Sequence, residues 1–143
     1  MTDIAFWDTS AIVPLCLQQN TSSLAHQLLR QFSIAAWWAT SVETRSALAR
    51  ELRHGFVSRS GHSEACLKLE KIRQEWLEIY PDGGLRSFAE DLPDRFPLRA
   101  ADALQLAAAY TWTMQRPAGR PFICGDRRLL DAAEQLGFRT IAV

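Results

Sequence analysis

The sequence has almost no lysine: of its sixteen basic residues only Lys68 and Lys71 are lysines, and the others are all arginine. The formal net charge is zero, which argues against a broad basic surface for non-specific nucleic-acid binding. The three cysteines, Cys16, Cys66 and Cys124, are odd in number and far apart. That excludes a disulfide framework and shows no metal-ligand spacing, so a reduced, cytoplasmic compartment is expected. No apolar run approaches the length of a membrane span, so no membrane association is expected. Met1-Thr2-Asp3-Ile4 has neither the basic start nor the apolar core of a signal peptide. There is no internal repeat, low-complexity tract or domain-separating linker, so residues 1–143 read as one domain with room for a proper core.

What is present is a succession of short apolar runs separated by helical patterns. Residues 3–8, Ile34–Trp38, 121–125 and 138–143 read as strands. Helices are expected over Thr9 to about Gln18, 22–32, Thr40–Arg53, Ser63–Ile79, roughly 85–91, 99–115 and 127–136, the last ending at Gly137. On the 22–32 helix, Leu24, Leu28, Leu29 and Phe32 share a face. On the 63–79 helix the apolar positions include Ile72, Trp76 and Ile79. Strands alternating with helices predict an α/β domain with a mainly parallel sheet, whose ligands bind at the carboxyl ends of the strands. The five tryptophans, Trp7, Trp37, Trp38, Trp76 and Trp112, read mostly as core by position.

Four acids stand out in apolar or small-residue surroundings. Asp8 ends Ile4-Ala5-Phe6-Trp7, Asp126 ends Pro121-Phe122-Ile123-Cys124-Gly125, Asp102 interrupts a run of Ala and Leu, and Glu43 follows the second strand closely. Carboxylates in such settings are costly unless something positive meets them. If they converge, their mutual repulsion is relieved most simply by a divalent cation. Metal-dependent phosphodiester chemistry is therefore the leading idea. Three of the acids fall on the carboxyl edge of the sheet, whereas the pattern alone does not place Asp102.

Each acid also has a structural reading. Asp8 and Asp126 suit helix N-caps, Glu43 suits a capping box with Thr40, and Asp102 suits an ion pair with Arg99. Two Asp residues at strand ends plus lone acids on two other helices are more than independent caps require. The arginine bias suits RNA contact, and codon habit in a GC-rich genome would produce it too. Arg45, Arg50, Arg53, His54 and Arg59 form the best phosphate-binding strip, with solvated helix charge as the alternative.

These pieces resemble the PIN-domain family, in particular the VapC-type toxins of bacterial toxin–antitoxin pairs. The resemblance is carried by Trp7-Asp8-Thr9-Ser10-Ala11-Ile12-Val13-Pro14-Leu15, by Ser41-Val42-Glu43-Thr44-Arg45-Ser46-Ala47-Leu48, by Leu98-Arg99-Ala100-Ala101-Asp102-Ala103-Leu104-Gln105-Leu106-Ala107, and by Cys124-Gly125-Asp126-Arg127-Arg128-Leu129-Leu130-Asp131-Ala132-Ala133. It spans essentially the whole chain, in order. It implies a three-layer α/β/α fold and Mg²⁺- or Mn²⁺-dependent cleavage of RNA. Asp8, Glu43, Asp102 and Asp126 would be the catalytic and metal-binding acids. An antitoxin partner and homodimerisation are also implied. Ser10, Arg45 and Arg50 are the candidates for orienting a ligand or holding the RNA backbone. Two positions depart from the family: Cys124 stands where Thr or Ser is usual, and Gln105 where His is frequent.

Other acidic α/β sites fit less well. A haloacid-dehalogenase-like phosphatase needs a second Asp two residues after the strand-end nucleophile, where this chain has Ser10. A response-regulator receiver needs an acidic pair before its phospho-acceptor and a late lysine, and neither Lys68 nor Lys71 is suitably placed. A nucleotide-binding loop wants glycines that Asp8-Thr9-Ser10-Ala11 lacks. A non-catalytic binding module, its acids engaging an antitoxin or another protein, remains the alternative from a different class.

Overall fold

A computed structural model describes residues 2–143. Five strands form one wholly parallel sheet: β1 (Asp3–Trp7), β2 (Phe32–Trp37), β3 (Leu77–Ile79), β4 (Pro121–Cys124) and β5 (Arg139–Ala142). Their spatial order is β3-β2-β1-β4-β5. Seven helices connect them: α1 (Thr9–Cys16), α2 (Ser22–Gln31), α3 (Thr40–Arg53), α4 (Arg59–Arg73), α5 (Gly83–Arg95), α6 (Ala100–Trp112) and α7 (Arg127–Leu136).

The central strands are apolar on both faces, as a sheet covered on both sides requires. On one face Ala5, Trp7, Ile34 and Ala36 pack under Ile12, Leu28, Leu48 and Leu69 from α1 to α4. On the other, Phe6, Ala35, Trp37 and Phe122 pack under Leu92, Leu106 and Leu129 from α5 to α7. This is the expected three-layer α/β/α fold with a parallel central sheet. No described helix is long and apolar enough to cross a membrane.

The topology locates the crevice. From β1 the chain steps outward to β2 and β3, then crosses β1 to β4 and continues outward to β5. The strand order reverses between β1 and β4, and there the flanking helices diverge and leave an opening above the carboxyl ends.

Four expectations need correction. The helix expected over 63–79 ends at Arg73, and Leu77–Ile79 is an edge strand paired with β2. Ile72, Trp76 and Ile79 mimic a helical stripe because Ile72 and Trp76 both face the core from either side of the turn. The helix expected over 22–32 ends at Gln31, and Phe32 is both its C-cap and the first residue of β2. The helix expected over 85–91 runs from Gly83 to Arg95, with Asp82 capping it through a 2.7 Å bond from the Leu85 N–H and Pro93 tolerated in its last turn. The helix expected over 99–115 stops at Trp112, because Met114 and Gln115 turn to positive φ. Gly137, at φ 109°, ends α7 where a side chain would be strained.

Candidate functional site

Asp8 and Asp126 follow neighbouring strands and cap the helices that leave them. Asp8 Oδ2 accepts from the Ser10 N–H at 3.0 Å and from Ser10 Oγ at 2.6 Å. Ser10 Oγ in turn accepts from the Gly125 N–H at 2.8 Å, which ties the β1 and β4 ends together. Asp126 Oδ1 accepts from the N–H groups of Arg128 and Leu129 at 2.9 and 3.3 Å. The cap reading is therefore correct for both residues, and it does not compete with a functional one. Each cap engages a single carboxylate oxygen and fixes the direction of the other.

The structural readings of the other two acids do not hold. Ala39, not Thr40, is the N-cap of α3, with no side-chain cap bond, so there is no capping box. Thr40 is fully buried and its hydroxyl accepts from Gln105 Nε2 at 3.1 Å. Glu43 is thereby released from the helix end, and its Oε1 accepts from the same nitrogen at 3.2 Å. Arg99 forms no ion pair with Asp102 among the described residues. A helix that precedes a parallel strand starts at the carboxyl edge, and this places Asp102, in the first turn of α6, on that edge.

All four acids line one open cavity of about 700 Å³, together with Thr9, Ser10 and Arg50. Arg45 does not line it. Its guanidinium pairs with Glu70 of α4 at 3.2 Å, a half-exposed contact on the outer face. Of the strip expected after Glu43, only Arg50 reaches the cavity.

Charge in this cavity is poorly compensated. Burial, with the repulsion of Asp102 added, holds the Asp8 carboxyl above its ordinary range despite the Ser10 bonds. Burial and the Asp8 charge push Glu43 up to about 7, against the lowering bond from Gln105. Burial and Asp126 raise Asp102, while Arg99 and Arg128 pull it down. Asp8 is only 6% exposed and has no cationic partner among the described residues.

A divalent cation of the kind the family resemblance implies can be tested against this geometry. The donors are hard carboxylate oxygens, which suit Mg²⁺ or Mn²⁺, and their charges are uncompensated. Yet among the described residues no three His, Cys, Asp or Glu side chains form a group able to hold an ion. The donor chemistry fits, and the ligand spacing is not preassembled.

Two residues carry more weight here than the sequence suggested. Gln105, 1% exposed, joins three helices: its Nε2 also donates to Thr9 Oγ1 at 2.9 Å, and its Oε1 is buried without a partner. Its polarity inside the Ala- and Leu-rich α6 was the available signal. Cys124 is fully buried beneath the two strand-end acids. Its Sγ accepts the Asp126 N–H at 3.2 Å and lies 3.7 Å from Asp8 Oδ2. Burial and the Asp8 charge push its thiol far up, so it remains neutral.

No family model matches this sequence, and no curated protein does. Solved structures do. VapC20 of Mycobacterium tuberculosis, described as a sarcin–ricin-loop-cleaving toxin, superposes with a TM-score of 0.68 at 18% identity, over 90% of this chain and 94% of that one. PAE2754 of Pyrobaculum aerophilum gives 0.67 at 20% identity, over 98% and 90%. FitAcB of Neisseria gonorrhoeae gives 0.67 at 15%, over 96% of each chain. At these identities the likeness establishes a fold. It is a PIN-like fold that resembles several structures from toxin–antitoxin systems.

Proposed function

We propose that this chain is a divalent-metal-dependent endoribonuclease and the toxin of a toxin–antitoxin pair. The observation that carries the reading is the meeting of Asp8, Glu43, Asp102 and Asp126 on one cavity at the strand-order reversal, without a cationic side chain bonded to any of them. The toxin descriptions of the fold's relatives and their complexes with antitoxins support it.

Asp8 and Asp126 would be the direct ligands, each steered by its cap, with Glu43 and Asp102 completing the charge. A divalent cation held there supplies a lowered water pKa and neutralisation of the charge that develops on the phosphate. Ser10 holds Asp8 in place and links it to the β4 end. Gln105 presents only N–H groups to Glu43 and so orients its carboxylate toward the cavity. Arg50 stands on the rim, where it can meet a phosphate oxygen.

The test is incubation of the purified protein, free of antitoxin, with a pool of structured RNA in Mg²⁺, Mn²⁺ or EDTA, alongside Asp102→Asn. Discrete cuts that need metal and vanish in the variant are expected. No cutting in any arm would turn the reading to a non-catalytic module whose acids engage a protein partner.

Gln105→Leu separates orientation from packing. Loss of a bond that orients a metal ligand typically costs about 10–100-fold in metal affinity, and that drop is expected in a Mn²⁺ titration by calorimetry. Melting temperature should fall modestly, since Leu removes the unpartnered Oε1 but also takes a donor from the buried Thr40 hydroxyl, so affinity is compared at a temperature where both proteins are folded. Unchanged affinity would make the Gln105 contacts packing alone.

A further inference from the structure

The acid cavity continues past the carboxylates into a second lobe of about 720 Å³. The two lobes share Glu43, Arg50, Asp102 and Asp126, and the second adds Arg99, Arg127 and Arg128. The sequence brings these arginines from separate places. Arg99 is the N-cap of α6, Arg127 and Arg128 open α7, and Arg50 is on the last turns of α3.

An arginine beside an acid ordinarily serves as an ion pair. Here, among the described residues, Arg50, Arg99 and Arg128 form none, and Arg127 makes only an exposed 3.9 Å contact with Asp131. The charges of Arg99 and Arg128 pull the Asp102 carboxyl down, as does the Arg99 backbone N–H, without a side-chain ion pair. Both residues are exposed, and neither side chain is engaged in an ion pair among the described residues. The amino end of α7 adds its partial positive charge to the same wall. In a chain of zero net charge, this is cationic density concentrated beside an anionic cavity.

We propose that the lobe lined by Arg50, Arg99, Arg127 and Arg128 is a phosphate subsite, which grips a phosphodiester of single-stranded RNA adjacent to the one presented to the acids. The inference rests on the nuclease reading and extends its substrate contact from Arg50 alone to a second phosphate. The guanidinium fork matches a phosphate bidentately, and a row of such forks follows a backbone without reading its sequence. The juxtaposition also gives the polyanion one favourable anchor beside carboxylates that would otherwise repel it. A free mononucleotide would lack the neighbouring phosphate and so the anchor.

The test is fluorescence anisotropy of a labelled single-stranded RNA on the full chain, in EDTA, across a salt series. Wild type is compared with Arg99→Gln/Arg128→Gln, with Arg86→Gln of α5, which lines neither lobe, as the control. The double variant should bind about tenfold or more weakly at low salt. Its slope of log affinity against log salt should fall by about 0.7 for each phosphate contact removed. KM for cleavage should rise while the control stays at wild type. Melting curves check that the exposed substitutions leave the fold intact. An unchanged slope and KM in the double variant overturns the subsite, as does undetectable wild-type binding at low salt. Tighter binding of a polyglutamate chain than of RNA of equal charge overturns it in favour of protein docking. Failure of the nuclease reading is seen separately, as absence of metal-dependent cleavage by wild type.

Discussion

Asp8→Asn will abolish metal-dependent RNA cleavage and leave the protein at least as stable as wild type in metal-free buffer. The proposed site loses a ligand, and ligand-held charge is worth several kcal/mol to the transition state, so the rate should fall by about 10³-fold or more. The stability half of the expectation follows from the same atoms. Asn caps helices about as well as Asp, and its side-chain oxygen can still accept from the Ser10 N–H and Oγ. What disappears is a buried charge with no cationic partner, raised by burial and by Asp102. A drop in activity with an equal or higher melting temperature marks a carboxylate kept for chemistry at some expense to the fold. If the variant instead melts several degrees lower, Asp8 is first of all a cap and the catalytic assignment loses its main support.

The acids differ in how visible they are in the sequence, and the differences have physical causes. Asp8 and Asp126 follow apolar strands directly and begin helices, so local pattern places both on the carboxyl edge. Glu43 is visible as a lone acid, but its freedom is not. Thr40-x-x-Glu43 reads as a capping box, and only the burial of Thr40 against Gln105 shows why the box does not form. Asp102 needed one further step, the direction of a helix entering a parallel strand. The edge strand β3 was hidden because three residues are too few to show alternation, and neighbouring Ile72 and Trp76 continued a helical stripe. Gln105 is marked in the sequence as a lone polar residue in an apolar helix, but its partners, and the Arg99–Arg127–Arg128 wall, could not be read. They exist only where α1, α3, α6 and α7 meet, and nothing local distinguishes Arg128 in the wall from Arg45 on the outer face.

The uncompensated charge makes a second strong expectation: without metal, the protein will be more stable near about pH 5 than near about pH 8. The Glu43 carboxyl sits at about 7 in the folded chain, against an ordinary 4.5. Between those values the folded state keeps a proton that the unfolded chain has released, so unfolding free energy falls as pH rises through the window. Each unit is worth about 1.4 kcal/mol at full effect, discounted here because Glu43 is partly exposed. Asp8 and Asp102 are raised too and act in the same direction. Saturating Mn²⁺ should reverse the trend, because the cation binds the ionised carboxylates and competes with protons. At about 100 times its dissociation constant it adds about 2.7 kcal/mol, and this gain should shrink toward acid pH. Melting curves with and without Mn²⁺ across the window decide the matter, with Asp8→Asn/Glu43→Gln as the reference. The double variant should lose most of both the metal-free pH slope and the metal-induced shift. A metal-free melting temperature that is flat or rising with pH would mean the acids are not strained against one another. A pH slope of the expected sign without any Mn²⁺ shift would leave the charge cluster standing and remove the metal from it, and with the metal would go the ribonuclease reading.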